Sequence, residues 1–282
     1  MVRSVKTSGK INRLFLFLFL LAVGMIMIYP FWWMVSVSFD RTANISIPFP
    51  PRLFPETFDL FNYKLVFENG ALMTAYGNSL VIAFFSVLLS VVSALLGGYA
   101  FSRGQFKGKK LLFFAVLATM MIPFEARLIP MFTMFNELGL INTKYPLIFP
   151  AVINALGIVL VKQYFDNLPE GLRESAKIDG AGEFKIFFHI FAPLTGPITA
   201  TLAILSFQDS WNSFLWPLVV INDQHLKTVP LFLSSFSSEN GGRLFGVTMA
   251  TAGMSILPIL LVFLFFQKYI IRSIALSGLK GE

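Results

Sequence analysis

Apolar residues fall into six long runs, with polar residues in bursts between them. Leu14 to Phe39 carries no charge, and neither does Ala71 to Ser102. Leu111 to Phe132, Tyr145 to Phe165, Pro193 to Trp216 and Leu244 to Gln267 complete the set. Each run is near the roughly 20 residues a helix needs to cross a hydrocarbon core. The pattern predicts residues 1–13 as a cytoplasmic N-terminus, 14–39 as a first span and 40–75 as an outer loop. Residues 76–270 form the core with spans two to six, and 271–282 a cytoplasmic tail. Phe58 to Phe67 reads as a short amphipathic helix in the outer loop, and Ile221 to Arg243 as a polar loop. The first run is too long for the 7–15-residue core of a signal peptide and has no A-x-A-like site after it. Pro30-Phe31-Trp32-Trp33 suits an interfacial anchor instead, so the run reads as a retained span.

Breaks within the runs carry information. Pro123, Pro130, Pro217 and Pro258 each remove a helical hydrogen bond or end a helix. Freed backbone at membrane depth is tolerated where it faces protein or a water-filled cavity, and discontinuous helices recur in transporters. Small residues at Gly97-Gly98 and Gly253 allow helices to approach closely.

Composition supports the membrane reading. The chain of 282 residues is 56% hydrophobic and 13% charged, against about 25% charged in soluble domains. With no cysteine, disulfide frameworks and thiolate metal centres are excluded. A net charge of +7 would suit nucleic acid, but its placement points to a membrane. Arg3, Lys6, Lys10 and Arg13 precede span one. Arg103, Lys107, Lys109 and Lys110 follow span two. Lys162, Arg173, Lys177 and Lys185 surround the break after span four, and Lys268, Arg272 and Lys280 close the chain. The opposite side holds Arg41, Arg52, Lys64, Arg127, Lys144, Lys227 and Arg243. The excess marks the first set, with both termini, as cytoplasmic.

The break after span four, 167–193, reads NLPEGLRESAKIDGAGEFKIFFHIFAP. Pro169 suits a first helical turn, and helical sequence runs to about Ile178. Asp179-Gly180-Ala181-Gly182 then breaks it. In the second helix Phe184, Phe187, Phe188 and Phe191 are spaced as one apolar face. A helix–turn–helix with such a face is a shape for docking into a partner's groove or for lying on lipid.

Glu174-Ser175-Ala176-Lys177-Ile178-Asp179-Gly180-Ala181, followed by Ile190 and Pro193-Leu194, resembles the "EAA" loop of ABC importer permeases, with Ser175 replacing the first alanine. Trp211-Asn212-Ser213-Phe214-Leu215-Trp216-Pro217 and the ending Ser277-Gly278-Leu279-Lys280-Gly281 resemble the carbohydrate-uptake, maltose-transporter-like branch. The resemblance implies an all-α integral membrane protein of six transmembrane helices with the type I importer permease fold and cytoplasmic coupling helices, in a bacterial cytoplasmic membrane. It implies a sugar or oligosaccharide as cargo. It also implies a second homologous permease, two cytoplasmic ATP-binding subunits that hold ATP and magnesium, and an extracytoplasmic solute-binding protein. Glu174, Ala176, Asp179, Gly180, Ala181, Phe184, Phe187 and Phe188 are the coupling residues it points to, and the Ser277–Glu282 tail a further contact with the ATPase.

The chain has no nucleotide site of its own to suggest: Gly104, Gly108, Lys109 and Lys110 fall short of a P-loop in spacing and lack the following Ser or Thr. Its two histidines, His189 and His225, lie on opposite sides of the membrane, without ligand-spaced partners, so a catalytic or metal-dependent activity is not expected. Ionisable residues at membrane depth usually face an interior or aqueous cavity. Glu125 and Arg127, two residues apart, point away from each other on a regular helix. Asp209 with Trp211 and Asn212 offers polar groups and an aromatic face to a hydroxyl-rich ligand. Glu125, Asp209, Trp211 and Asn212 are therefore the candidate pathway residues, with an aromatic belt as the plainer reading of the tryptophans. Two alternatives remain: a permease for glycerol phosphate, which Arg127 could meet, and an ion-driven secondary transporter, whose internal repeats are not visible.

Overall fold

The computed structural model describes residues 5–68, 70–239 and 243–278. These are almost wholly helical; among them the isolated bridge between Asp40 and Phe58 is the one extended pairing. Among the described residues, four helices are long and apolar enough to span a membrane: Asn12–Ser38, Ala71–Arg103, Tyr145–Asp166 and Phe245–Phe266. Two further apolar helix pairs are sharply bent. Lys109–Met120 meets Phe124–Glu137 at 103°, and Glu183–Leu194 meets Gly196–Asn212 at 79°. All six apolar runs of the sequence are thus found as helix.

The third span bends where Pro123 stands in extended geometry just before Phe124–Glu137, a place where its missing N–H costs no helical bond. Pro130 and Pro258 lie inside continuous helices, and Pro217 lies within the short helix Leu215–Val220. Of the four prolines singled out, only Pro123 marks a sharp break. The outer-loop helix runs Phe61–Glu68. The stretch after Ile221 is not simply a polar loop: Val229–Glu239 is a helix, and its Val229 packs with Ala75 and Trp211. Its serines hid the helix from a reading by composition, whereas burial of Val229 and Leu231 fixes it. Asn240 to Gly242 and the end of the Ser277–Glu282 tail lie outside the described residues.

Contacts divide the chain into two units, Met1–Leu72 with Leu233–Leu257, and Met73–Phe232 with Pro258–Glu282. In the first unit, the Asp40 carboxylate accepts bonds from the Thr42 amide and hydroxyl and from the Glu56 amide, at 2.9, 2.6 and 2.8 Å. Buried Asn62 donates to the carbonyls of Ser38 and Asp40 and accepts from Asn44. These bonds tie the outer loop to the end of span one.

In the second unit, spans two and four touch through glycine. A Cβ on Gly98 would lie 2.5 Å from Val161 Cγ1 and 2.9 Å from the Lys162 amide nitrogen, and one on Gly157 would lie 2.9 Å from the Ala94 Cβ. Gly253 has no such need, since its Cβ would meet only Met34 Cε at 3.7 Å. A polar triad joins three spans at the same level: Ser90 Oγ bonds Ser206 Oγ at 2.7 Å and accepts from Asn154 Nδ2 at 2.6 Å. Gly98→Leu is expected to destabilise the bundle by roughly 1–3 kcal/mol through overpacking against backbone. Thermal unfolding of the purified protein checks this, with Gly24→Leu, where nothing lies within 4 Å, expected to unfold like the parent.

Candidate functional site

The polar break after span four folds into a two-helix elbow. Gly171–Ile178 is helical. Gly180 then takes φ +76°, left-handed backbone that an L side chain reaches only at a cost. The Gly180 amide donates to the Lys177 carbonyl at 3.0 Å and the Ala181 amide to the Ala176 carbonyl at 2.9 Å. These two bonds are the Schellman pair that ends a helix on glycine. The return arm runs Glu183–Ile186, then a π-helical turn Phe187–Phe191, then Ala192–Leu194.

Burial overturns the single phenylalanine face: the i, i+4 pair Phe187/Phe191 turns inward and the pair Phe184/Phe188 outward. Ile186, Phe187 and Phe191 are buried, together with Ala176, against Tyr99, Val161 and Phe165. Phe184 and Phe188 are 79% and 58% exposed. With Ile178, also exposed, they leave apolar side chains on the outside of the elbow. Phe187 therefore braces the bundle, and Phe184 and Phe188 are the two open to a partner.

Charges lock the elbow's arms together. Buried Arg173 donates to Glu183 Oε1 at 2.6 Å and to Glu170 Oε1 at 3.2 Å. Lys177 reaches the same Glu183 oxygen at 2.9 Å, and the Tyr99 hydroxyl of span two donates to Glu183 Oε2 at 2.9 Å. Arg103, at the end of span two, pairs with Glu170 and donates to the carbonyls of Phe165 and Leu168, each at 2.6 Å. Its guanidinium also lies 5.5 Å from the Phe191 ring centroid. Spans two and four and both arms thus meet at two arginines. None of these charges stood out in the sequence except as net positive charge; the i, i+10 pair Arg173–Glu183 has no helical spacing to betray it.

Four carboxylates on the elbow divide into two kinds. Glu170 and Glu183 are paired as above. Glu174 and Asp179 are exposed, and among the described residues no side chain pairs with either carboxylate. Hydrogen bonding from Arg173 holds the Glu183 carboxyl down to about 2, against its partial burial and with help from Lys177 and Tyr99. A depressed carboxylate contributes its stability in full above its unfolded value, 4.5 here, and loses it as pH falls toward 2. Glu183 is half exposed, so solvent screens the gain. Glu183→Gln is expected to speed hydrogen exchange at amides 171–186 at pH 7. In the parent, protection of these amides, the ratio of intrinsic to observed exchange rate, should fall only as pH drops below 4.5.

The pathway candidates are scattered in character. Trp211 is 2% exposed and packs against Phe207 and Tyr76, at 5.5 and 5.9 Å between ring centroids. It is core rather than lining, because the helical face that carries it turns toward Ala75 and Val229. Asp209 and Asn212 lie on the exposed side of the same helix. Trp216 is also buried, its indole donating to the Pro146 carbonyl at 2.8 Å and its ring packing on Phe124 and Phe135. Glu125 and Arg127 are exposed at the start of Phe124–Glu137, just after the sharp bend, and Arg127 lies over the Phe124 ring at 5.8 Å.

Residues 86–276 match the family model of the binding-protein-dependent transport system inner membrane component. The chain is 36% identical over 261 residues to the arabinooligosaccharides transport system permease protein AraQ of Halalkalibacterium halodurans, covering 92% of this chain and 93% of that one. It is 33% identical to the trehalose/maltose transport system permease protein MalG of Thermococcus litoralis, covering 96% and 98%. A solved bacterial ABC transporter involved in import of the acidic polysaccharide alginate superposes with a TM-score of 0.81 at 25% identity, over 95% of this chain and 98% of the other.

Proposed function

The chain belongs to the family of binding-protein-dependent transport system inner membrane components, and from that premise we propose how it works: as the membrane-spanning permease subunit of an ATP-driven ABC importer, it passes a sugar or oligosaccharide by alternating access driven through the elbow at 167–193. Support for the cargo class comes from relatives named for arabinooligosaccharides and for trehalose and maltose. Family membership replaces the ion-driven secondary transporter. The observation that carries the coupling role is the division of the elbow's carboxylates. Glu170 and Glu183 are spent on internal locking, while Glu174 and Asp179 stand exposed beside Ile178, Phe184 and Phe188. A polar-and-apolar surface of that kind suits a groove on another protein.

ATP and magnesium belong to two partner ATPase subunits; a second permease completes the pathway and a solute-binding protein delivers the cargo from outside. Both termini and the elbow lie on the cytoplasmic face, in keeping with the lysine and arginine excess. ATP closes the ATPase pair, its grooves carry Glu174, Asp179, Phe184 and Phe188, and the turn at Gly180 and Ala181 keeps its shape. Arg173, Glu183, Tyr99 and Arg103 pass the displacement to spans two and four. The states interconvert because their binding energies for nucleotide and cargo differ. Asp209 and Asn212, with Glu125 near the bend of span three, line the route, while Trp211 supports it from behind. Reconstitution with the partner subunits tests this. Uptake of labelled oligosaccharide that requires both ATP and a binding protein is expected; uptake of glycerol phosphate alone, or uptake that runs without ATP, would contradict it.

A further inference from the structure

We propose that the outer-loop segment 45–55, ISIPFPPRLFP, is a foot that inserts into the outer membrane interface and holds span one against lipid. Ile45, Ile47, Phe49, Leu53 and Phe54 are all exposed, Phe49 at 91%. Five large apolar side chains in eleven residues, with Arg52 as the one charge, are costly in water and suited to a headgroup–acyl boundary.

The depth is set by span one. From Leu14, about 20 helical residues cover a hydrocarbon core, which brings the boundary to Trp32-Trp33. That is where aromatic anchors belong. The segment is fastened at this level. The Trp32 indole donates to the Leu53 carbonyl at 2.7 Å, and the Trp32 and Phe54 rings meet edge to face at 6.0 Å. Asp40 holds the far end of the loop through the Glu56 amide. The foot therefore continues the apolar surface of span one, which has no buried residue from Asn12 to Val35.

Backbone chemistry fits the same occupant. Irregular backbone is normally excluded from lipid because its amides lack partners. Pro48, Pro50, Pro51 and Pro55 have no N–H, so four of the eleven residues bring no donor to satisfy. Arg52, paired with Glu56 at the edge of the segment, is placed to reach lipid phosphates with its charge while its stem stays among apolar groups. A protein groove would ask for a fixed, complementary shape; a fluid boundary asks only for apolar side chains at one depth.

The chain contains no cysteine, so Phe49→Cys and Phe54→Cys each place a single nitroxide label on it within the assembled transporter in phospholipid vesicles. Collisions with oxygen, which concentrates in lipid, are expected to exceed collisions with a water-soluble nickel chelate at both positions. The order should reverse at Glu68→Cys, on the adjoining helix. Ile47→Cys provides a third reporter should Phe54→Cys fail to assemble. Greater access to the chelate at the foot overturns the proposal. So does shielding from both colliders, which would place the foot against the second permease, or shielding that appears only when a binding protein is added.

Discussion

Gly180→Val is expected to lower cargo-stimulated ATP hydrolysis and uptake at least tenfold while the spans stay folded. Gly180 occupies the left-handed position of a Schellman motif. An L residue pays roughly 1–2 kcal/mol to stand there, and a β-branched one is a marked outlier. About 1.4 kcal/mol shifts a population tenfold. Nothing lies within 4 Å of the position where a Cβ would be built, so the isolated chain meets no clash. The penalty falls on the shape of the turn and on whatever surface approaches it. Gly180→Asn, which tolerates left-handed backbone, should keep most of the coupling, whereas Gly180→Ala should fall between. Equal loss with Asn and Val would mean that close approach, rather than backbone geometry, governs the site. ATPase rates of the reconstituted complex, with and without cargo, separate these outcomes.

Arg103→Ala is expected to destabilise the protein by about 2–4 kcal/mol and to uncouple it as well. Loss of the guanidinium strips a donor from the Phe165 carbonyl, which keeps the Leu168 amide at 3.0 Å, and from the Leu168 carbonyl; an unsatisfied, partly buried acceptor costs roughly 1–3 kcal/mol. The ion pair with Glu170 adds less, because that carboxylate is nearly half exposed and solvent screens it. Arg103→Lys should recover part of the stability, since an ammonium keeps the charge but lacks the planar fork that reaches two carbonyls and Glu170 at once. Thermal unfolding reads the first effect. The ratio of cargo moved to ATP hydrolysed reads the second, which a purely structural loss would leave unchanged in the surviving molecules.

Much of this architecture was legible in the sequence. Apolar runs near span length, three of them free of charge, marked the long helices, and Gly97-Gly98 marked the close contact between spans two and four. Asp179-Gly180-Ala181-Gly182 gave the elbow its turn, because only a left-handed residue can close a helix in that way. Other features depend on contacts far apart in the chain. Phe184, Phe187, Phe188 and Phe191 have helical spacing, yet the neighbouring Tyr99 and Phe165 take only Phe187 and Phe191 into the core, leaving the other two outside. Trp211 shares a stretch with Asp209 and Asn212 but lies on the buried side of its helix. Glu170 and Glu183 looked no different from Glu174 and Asp179. What separates them is the pair of arginines brought in from span two and from the first arm of the elbow.

The most direct measurement is sided cross-linking at the elbow of the assembled transporter, using Phe184→Cys on this cysteine-free chain. The coupling account predicts a cross-link to the ATPase subunit, with a yield that changes between nucleotide-free and ATP-bound complexes, and no reaction with impermeant maleimide added outside intact cells. Labelling from the outside, or a label accessible only to lipid-soluble reagents with no ATPase cross-link in either state, would contradict it.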